Sequence, residues 1–278
     1  MRFTVLGARG FIGSHLSDHL RRNGMEVDTP QRGAADLQGR SLGHVIYAIG
    51  LTGNFRQSPD AAVEAHVCTL QRLMDGAEYE SWLYLSSTRV YGNLGTAGRA
   101  TEDAALQVIP GADGLYDLSK LLGEAICLGK DNPAVRVARL SSVYGVGRIE
   151  HTFLGQVLNE VAASGRVQFR EAPQSSKDYV SIDDVVALLH RIAVSGKHRI
   201  YNVASGAPVT HRQLAAGIAK CGFNAEFADN APIRAFPVID INRVRAEFGA
   251  VSHSLLEDLP ALIDSAAQRL GSDDRKST

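Results

Sequence analysis

The first thirteen residues join a short apolar strand to a glycine-rich loop, and this combination restricts the fold more than any other feature of the chain. The segment RFTVL predicts a buried strand, and Gly7, Gly10 and Gly13 follow it three residues apart. The next segment predicts an amphipathic helix that stops at Asn23-Gly24. Glycines between a strand and a helix let the backbone approach a pyrophosphate at the helix N-terminus. The start of the chain therefore predicts a dinucleotide-binding βα unit.

Apolar strands alternate with amphipathic helices through the first half of the chain. Three more buried strands are predicted, at HVIYAIG, SWLYLSS and AVRVARLSS. Between them we predict one helix over 58–76, with Ser58 as its cap, and another from about 116 to 128. This alternation is typical of a parallel sheet that is covered by helices on both faces.

The second half has a looser rhythm. The segment DYVSIDDVVALLHRI predicts a short strand entering a helix, and Ser181 and Asp184 have the spacing of a capping box at its start. RIYNVAS predicts a late strand that returns to the sheet, and the chain is mainly helical from about Pro208.

These segments predict an α/β fold, a Rossmann-type doubly wound parallel sheet with a smaller, mainly helical C-terminal substrate lid. We expect residues 1–147 and 177–206 to form the dinucleotide-binding domain. The lid would comprise residues 148–176 and 207–270, and residues 271–278 would be a flexible polar tail.

Composition excludes several classes of function. The net charge of −1 over 278 residues does not favour nucleic acid or an anionic membrane as a partner. The three cysteines, Cys68, Cys127 and Cys221, form no metal or disulfide pattern. No run is long enough to cross a bilayer, and the first strand leaves no room for a signal peptide. We therefore expect a cytoplasmic protein that binds a small molecule and no metal.

Two motifs near the predicted sheet edge have catalytic potential. LYLSSTRVYG ends a strand in hydroxyls where ligands of open α/β folds bind, although Ser86 and Ser87 could equally be turn formers. In YDLSK, Tyr116 and Lys120 lie four apart and therefore on one helix face. A nearby ammonium stabilises a phenolate, so Lys120 would lower the pKa of Tyr116 and make it a better general acid and base.

In the order and spacing of its motifs the sequence resembles the extended short-chain dehydrogenase/reductases, chiefly the nucleotide-sugar epimerases, dehydratases and ketoreductases. The resemblance covers nearly the whole chain. The motifs that carry it are GARGFIG, SSTRVYG, YDLSK, RLSSVYG, KDYVSIDDVV and YNVASG.

The resemblance implies a catalytic set. Ser87 matches the family's catalytic serine or threonine, Tyr116 its acid–base tyrosine, and Lys120 the lysine that also holds the nicotinamide ribose. Lys177 stands where relatives usually have an arginine near the sugar-nucleotide. Relatives commonly pair through the helices that include Tyr116, so the resemblance also implies a homodimer.

Departures from the family pattern narrow the reaction. Thr88 and Arg89 replace the Asp-Glu pair that dehydratases carry after the catalytic serine, which argues against dehydration. Ser142 stands where relatives often have a substrate-contacting asparagine, and His66 replaces a common helix asparagine. His151 lies where some relatives use a histidine for epimerisation, but the partner cysteine is missing, which favours a solvent-facing role.

The second predicted strand bears on the choice of cofactor. Gln31 takes the place of the aspartate that binds the adenine ribose in NAD-using relatives, and Arg32 follows it. Together with Arg9 in the glycine loop, Arg32 could grip a 2′-phosphate, which an acidic residue would repel. Asp28 is a weaker rival ligand for the ribose. We therefore favour NADP(H) over NAD(H).

The preferred function is NADP(H)-dependent reduction of a keto group on a nucleotide-activated sugar. Two alternatives stay open: an NAD-dependent 4-epimerase with the same catalytic set, and a non-catalytic protein that senses NADP(H). The expected cofactor residues are Gly7, Arg9, Gly10, Phe11, Ile12, Gly13, Arg32, Tyr116 and Lys120. The expected substrate residues are Thr88, Ser142, Arg148, Lys177 and Arg243, with Arg234 as a further candidate for the diphosphate.

Overall fold

The computed structural model describes residues 1–31, 37, 39–51, 55–95, 98–147, 151–234 and 236–274. The strands are, in chain order, β1 (Arg2–Leu6), β2 (Glu26–Asp28), β3 (His44–Tyr47), β4 (Ser81–Ser87), β5 (Arg99–Ala100), β6 (Val135–Leu140), β7 (Ser142–Tyr144), β8 (Arg166–Phe169), β9 (Ser176–Lys177), β10 (Tyr179–Ser181), β11 (Ile200–Val203), β12 (Val209–Thr210), β13 (Asn224–Phe227) and β14 (Val238–Ile239). The α-helices are α1 (Phe11–Arg22), α2 (Pro59–Val63), α3 (Thr69–Met74), α4 (Leu115–Leu128), α5 (Phe153–Ser164), α6 (Ile182–Ser195), α7 (His211–Lys220), α8 (Asn242–Phe248) and α9 (Leu255–Asp274).

A central sheet of six strands organises the fold. Its order is β11-β6-β4-β3-β1-β2, and every neighbouring pair is parallel. One face packs on α1 and α6 through residues such as Leu16 and Leu189. The other face packs on α3 and α4 through residues such as Leu70 and Cys127. The predicted Rossmann-type, doubly wound parallel sheet is therefore confirmed, and its strands deliver their carboxyl ends to one edge.

The predicted helix over 58–76 is interrupted. A π-helical segment, Glu64–Cys68, separates α2 from α3. The apolar residues of this region are spaced as in a continuous α-helix. The one extra residue in the π-helical turn therefore could not be recognised from the sequence. The wider turn carries His66, whose side chain is completely buried beside α4. The interruption therefore reaches the helix that carries Tyr116 and Lys120.

A second hydrophobic cluster lies outside the sheet. It unites α5, α7 and α9 with the paired strands β8 and β13, through residues such as Leu158, Leu214 and Leu259. These elements fall within the segments assigned to the lid, except that α9 continues to Asp274, although residues 271–278 were expected to form a flexible tail. By contrast, Val244 and Phe248 of α8 pack into the core of the sheet, although the expected boundary put them in the lid. The division into two domains stays a prediction.

The start of α6 differs from the expected capping box. The Ser181 hydroxyl accepts a hydrogen bond from the backbone N–H of Asp183. The Asp184 carboxylate instead accepts bonds from the backbone N–H groups of Ser252 and His253 and from the Ser252 hydroxyl. The capping-box prediction was wrong, because Asp184 anchors the chain that leads into α9.

None of the helices in the described part of the chain combines the length and the apolar character needed to cross a membrane.

Candidate functional site

The glycine loop after β1 has the shape that a dinucleotide pyrophosphate needs. Gly7 has a φ of +92°, and a Cβ there would lie 2.7 Å from the backbone of Ala48. A Cβ at Gly13 would collide with the Gly7 carbonyl oxygen. Gly10 is the N-cap of α1 and supplies no side-chain cap, so the first N–H groups of the helix stay open to an anion. These residues fit the bound pyrophosphate of NAD(P).

The predicted adenosine end of this site carries exposed polar and cationic side chains. Arg9 is exposed in the glycine loop and Gln31 is exposed beyond β2, while Arg32 lies outside the described residues. Asp28, the rival ribose ligand, is the last residue of β2, and its carboxylate accepts a hydrogen bond from Arg40 at 2.8 Å. That partnership makes Asp28 less available to a ribose and adds Arg40 to the cations near the end of β2.

Two elements carry the expected catalytic residues. Ser87 is the last residue of β4, at the carboxyl edge of the sheet, and Tyr116 and Lys120 lie one turn apart on α4. The Ser87 side chain lies near enough to the Tyr116 hydroxyl to lower the pKa of the phenol. The Lys120 ammonium donates a hydrogen bond to the Leu85 carbonyl at 2.9 Å and lies 5.9 Å from the Tyr116 ring centroid. The fold thus gathers all three side chains at one sheet edge.

Burial shifts the pKa values of both groups. It raises the pKa of Tyr116 to about 12, and the Ser87 side chain and the Arg89 guanidinium oppose that rise. Burial also lowers the pKa of Lys120 to about 7, an effect that the carboxylate of Glu124 opposes. We expected the Lys120 charge to lower the pKa of Tyr116. In the structure the cation that does so is Arg89.

His66 links the loop after β3 to α4. Burial and the Lys120 charge lower the pKa of His66 to about 3, so its ring is neutral. Nε2 accepts a hydrogen bond from the backbone N–H of Leu51 at 3.1 Å, which leaves Nδ1 to donate to the Ser119 hydroxyl at 2.8 Å. Ser119 in turn donates to the Tyr116 carbonyl at 2.8 Å. The histidine therefore fixes the first turn of α4.

A buried ion pair supports the same region from behind. Arg139 of β6 binds the Glu124 carboxylate of α4 with both Nε and Nη2, the latter at 2.7 Å. The Ser86 hydroxyl donates to the same carboxylate at 2.5 Å, and Arg139 also donates to the Tyr91 hydroxyl at 2.7 Å. The pair ties together β4, β6 and α4, the elements that position the expected catalytic residues.

A cleft of about 570 Å³ connects the glycine loop with these side chains. Of the expected site residues, it is lined by Gly10, Phe11, Ile12, Ser87, Thr88, Tyr116, Lys120, Ser142 and Lys177, and by His151. One cavity therefore contains both the glycine loop and the Tyr116 side chain.

The far end of the cleft is aromatic and cationic. The Lys177 ammonium of β9 lies 4.0 Å from the centre of the Phe153 ring, and that ring also stacks on His211. The Tyr179 hydroxyl is buried without a hydrogen-bond partner among the described residues. Burial lowers the pKa of Lys177, and the Glu171 carboxylate opposes that change. This end combines a flat apolar wall with unsatisfied polar groups, as a polar ligand with a planar ring would require.

Two expected substrate arginines do not line the cleft. Arg243 lies on α8. Its guanidinium pairs with the Asp103 carboxylate, and its Nε atom lies 3.7 Å from the Glu102 carboxylate. Arg234 pairs with Glu171 at 3.0 Å and is largely exposed. Arg148 lies outside the described residues. Among the described residues, no cluster of three or more His, Cys, Asp or Glu side chains could hold a metal ion.

Three cleft residues escaped the sequence analysis as ligand candidates. Phe153 and Tyr179 lie in a predicted helix and a predicted strand, where the sequence pattern does not distinguish a cleft position from a core position. Arg89 was noted only as a departure from the dehydratase pattern, yet it lines the cleft beside Tyr116. An arginine directly after strand-end hydroxyls was the available signal for it.

Comparison with known proteins identifies the family. The model of the NAD dependent epimerase/dehydratase family matches residues 3–204. Among curated proteins, the dTDP-4-dehydro-6-deoxy-D-allose reductase of Streptomyces bikiniensis is 24% identical over 254 residues, which cover 76% of this chain and 78% of that protein.

Solved structures share the fold. MoeE5 in complex with UDP-glucose and NAD is 22% identical with a TM-score of 0.81, covering 97% of this chain and 100% of that chain. RMD from Pseudomonas aeruginosa complexed with NADPH is 20% identical with a TM-score of 0.80, covering 96% and 100%. The predicted likeness to extended short-chain dehydrogenase/reductases is confirmed. The chain belongs to the NAD dependent epimerase/dehydratase family and is an NAD(P)-dependent enzyme.

Proposed function

We propose that this enzyme uses NADPH to reduce a keto group on a nucleotide-activated sugar. The observation that carries the proposal is the meeting of Ser87, Tyr116 and Lys120 in the same cleft as the glycine loop. The glycine turn leaves the first N–H groups of α1 open to a dinucleotide, and the buried Tyr116 lies beside Ser87, where it can exchange a proton with a substrate oxygen.

In this mechanism bound NADPH supplies the hydride that reaches the carbonyl carbon. Ser87 donates a hydrogen bond to the carbonyl oxygen and keeps it next to the phenol. Tyr116 gives its phenolic proton to that oxygen, which becomes the hydroxyl of the product. The phenolate that remains is stabilised by nearby cations until solvent protonates it again. Lys120 holds the ribose and completes the set.

The substrate class is supported by the far end of the cleft. Lys177 adds a positive charge where a diphosphate would need one, and Phe153 offers a flat face. The Streptomyces bikiniensis relative is named as a reductase of a dTDP-linked keto sugar. Reduction is preferred over dehydration because Thr88 and Arg89 cannot provide the paired carboxylates that water elimination uses.

The preference for NADPH is supported at the adenosine end. Arg9 is exposed in the loop, Gln31 is uncharged, and the Asp28 carboxylate is engaged by Arg40. A 2′-phosphate would therefore meet positive charge without a competing free carboxylate. A readily exchanged NADPH also suits net reduction better than an epimerisation cycle, in which the cofactor is used and regenerated on the enzyme.

We expect the Arg9→Ala variant to bind NADPH about tenfold more weakly and NADH almost unchanged, because it loses one charge-assisted bond to the 2′-phosphate. Arg32→Asp should shift the preference toward NADH. Fluorescence titration of each purified protein with both cofactors measures this. Arg21→Ala is the matched control, because Arg21 is an exposed arginine of α1 that faces Asp18. Tighter binding of NADH by the unmodified protein would contradict the proposal.

Incubation with NADPH and a panel of 4-keto nucleotide sugars tests the reaction. We expect at least one sugar to consume NADPH stoichiometrically, followed as loss of reduced-nicotinamide absorbance, with the reduced sugar recovered as product. Interconversion of two epimers without net loss of cofactor would instead identify the 4-epimerase. Cofactor binding with neither reaction would favour the sensing protein.

A further inference from the structure

Arg89 occupies an unusual place beside the proposed acid–base group. Its guanidinium carbon lies 5.0 Å from the centroid of the Tyr116 ring and 5.2 Å from that of Phe55. The two rings are themselves in contact, with centroids 5.2 Å apart, and both are buried. The guanidinium thus rests on a platform made of the phenol and its aromatic neighbour, within the range of a cation–π contact.

A carboxylate holds the arginine there. The Asp117 Oδ1 atom lies 3.3 Å from the Arg89 Nε atom, and Asp117 directly follows Tyr116 in the first turn of α4. The backbone N–H of Arg89 donates to the Ser87 hydroxyl at 3.2 Å. Arg89 is therefore tied to both Ser87 and Tyr116, through its backbone to the first and its side chain to the second.

We infer that Arg89 is a positioning residue that favours the phenolate form of Tyr116, and that Asp117 keeps the Arg89 guanidinium beside the phenol. This inference rests on the proposed role of Tyr116 as the proton donor. Lys120 lies farther away, because its ammonium binds the Leu85 carbonyl and stands 5.9 Å from the ring centroid.

The electrostatics give Arg89 a defined effect on Tyr116. An opposite charge within about 4–6 Å stabilises an ionised group. The Arg89 guanidinium therefore lowers the pKa of Tyr116, against the larger effect of burial. A residue with a purely structural role would not change this pKa according to its own charge. Comparison of Arg89→Gln with Arg89→Lys therefore separates electrostatic tuning from a structural role.

A titration without substrate tests the role of Arg89. Residue 116 is replaced with 3,5-difluorotyrosine, a more acidic phenol, so that it ionises at a pH where the full chain stays folded. Its ionisation is followed by absorbance and ¹⁹F NMR. Because Arg89 is half exposed, we expect Arg89→Gln to raise this pKa by about half a unit to one unit. Arg89→Lys keeps the positive charge and should therefore retain part of the effect.

Arg56 provides the matched control. Its guanidinium carbon lies 4.7 Å from the centroid of Phe55, the ring that neighbours Tyr116. Its charge is paired with Asp113 at 2.6 Å. Arg56→Gln should leave the pKa of residue 116 unchanged. Circular dichroism confirms that each variant is folded. An unchanged or lower pKa in Arg89→Gln, or an equal rise in Arg89→Gln and Arg89→Lys, would overturn the inference.

The outcome is independent of the reaction test. If the titration shows the rise in Arg89→Gln but no keto sugar is reduced, the role of Arg89 stands and the proposed reaction fails. If a keto sugar is reduced but the titration ignores Arg89, the reaction stands and this inference fails. In an active enzyme the pH profile of kcat/KM should shift in Arg89→Gln in the same direction as the phenol pKa.

Discussion

Replacing Tyr116 with phenylalanine is expected to lower kcat for keto-sugar reduction by about 100- to 10,000-fold, the usual contribution of a positioned general acid. The substitution removes one hydroxyl and keeps the ring that packs on Phe55 and His66. The fold and the cofactor cradle should therefore be preserved. Steady-state kinetics with NADPH and the keto sugar found by the panel gives the effect, and binding titration of NADPH confirms an intact cradle.

Ser119→Ala is a suitable control for this effect. Ser119 lies in the same turn of α4 and its hydroxyl bonds His66 and the Tyr116 carbonyl, but it does not line the cleft. We expect a much smaller loss of kcat in this variant. A Tyr116→Phe enzyme that keeps more than about one tenth of the activity would show that another group supplies the proton.

The parts of the site that local sequence rules describe could be predicted. The glycine loop depends on three small residues between a strand and a helix, and Tyr116 and Lys120 share a helix face because of the 3.6-residue turn. The strand that ends at Ser87 was visible as a short apolar run. Each of these features is encoded within about ten residues.

The parts that depend on distant partners could not be predicted. Asp184 binds the backbone of Ser252 and His253, and this contact overrode the local capping box at Ser181. Arg243 was expected at the diphosphate, but carboxylates far away in the sequence pair with it instead. Charged side chains have no periodic signal that names their partner, so only the folded chain decides between a substrate phosphate and an aspartate.

The π-helical segment shows a subtler limit. Val67, Leu70 and Met74 of this region are buried, as an amphipathic helix requires. The extra residue in the π-helical turn has no sequence signature, and it determines that His66 faces the catalytic helix. The contact between Arg89 and Tyr116 is similar, because the 3₁₀ turn over Thr88–Tyr91 sets the direction of that side chain.

Replacing Arg139 with methionine is expected to lower the free energy of unfolding by about 3–5 kcal/mol. The guanidinium and the Glu124 carboxylate are almost wholly buried, with exposed side-chain fractions of 4% and 3%. Removal of the arginine leaves a carboxylate in the interior with only the Ser86 hydroxyl as a hydrogen-bonding partner from the pair's network. The cost comes from that uncompensated charge, and chemical denaturation followed by circular dichroism measures it.

A double substitution separates the charge from the packing. The burial of two ions has a large desolvation free energy that their attraction only roughly offsets. A buried pair therefore contributes little net stability, although removing one partner is strongly destabilising. We therefore expect Arg139→Met combined with Glu124→Met to recover most of the stability that Arg139→Met loses. Arg136→Met is the matched control on the same strand, since Arg136 donates to backbone carbonyls of Ala134 and Ala193. Its loss should be nearer to about 1–2 kcal/mol. If the double variant were as unstable as Arg139→Met alone, the pair would stabilise the junction of β4, β6 and α4 through its packing and hydrogen bonds, and the unpaired carboxylate would not be the cause.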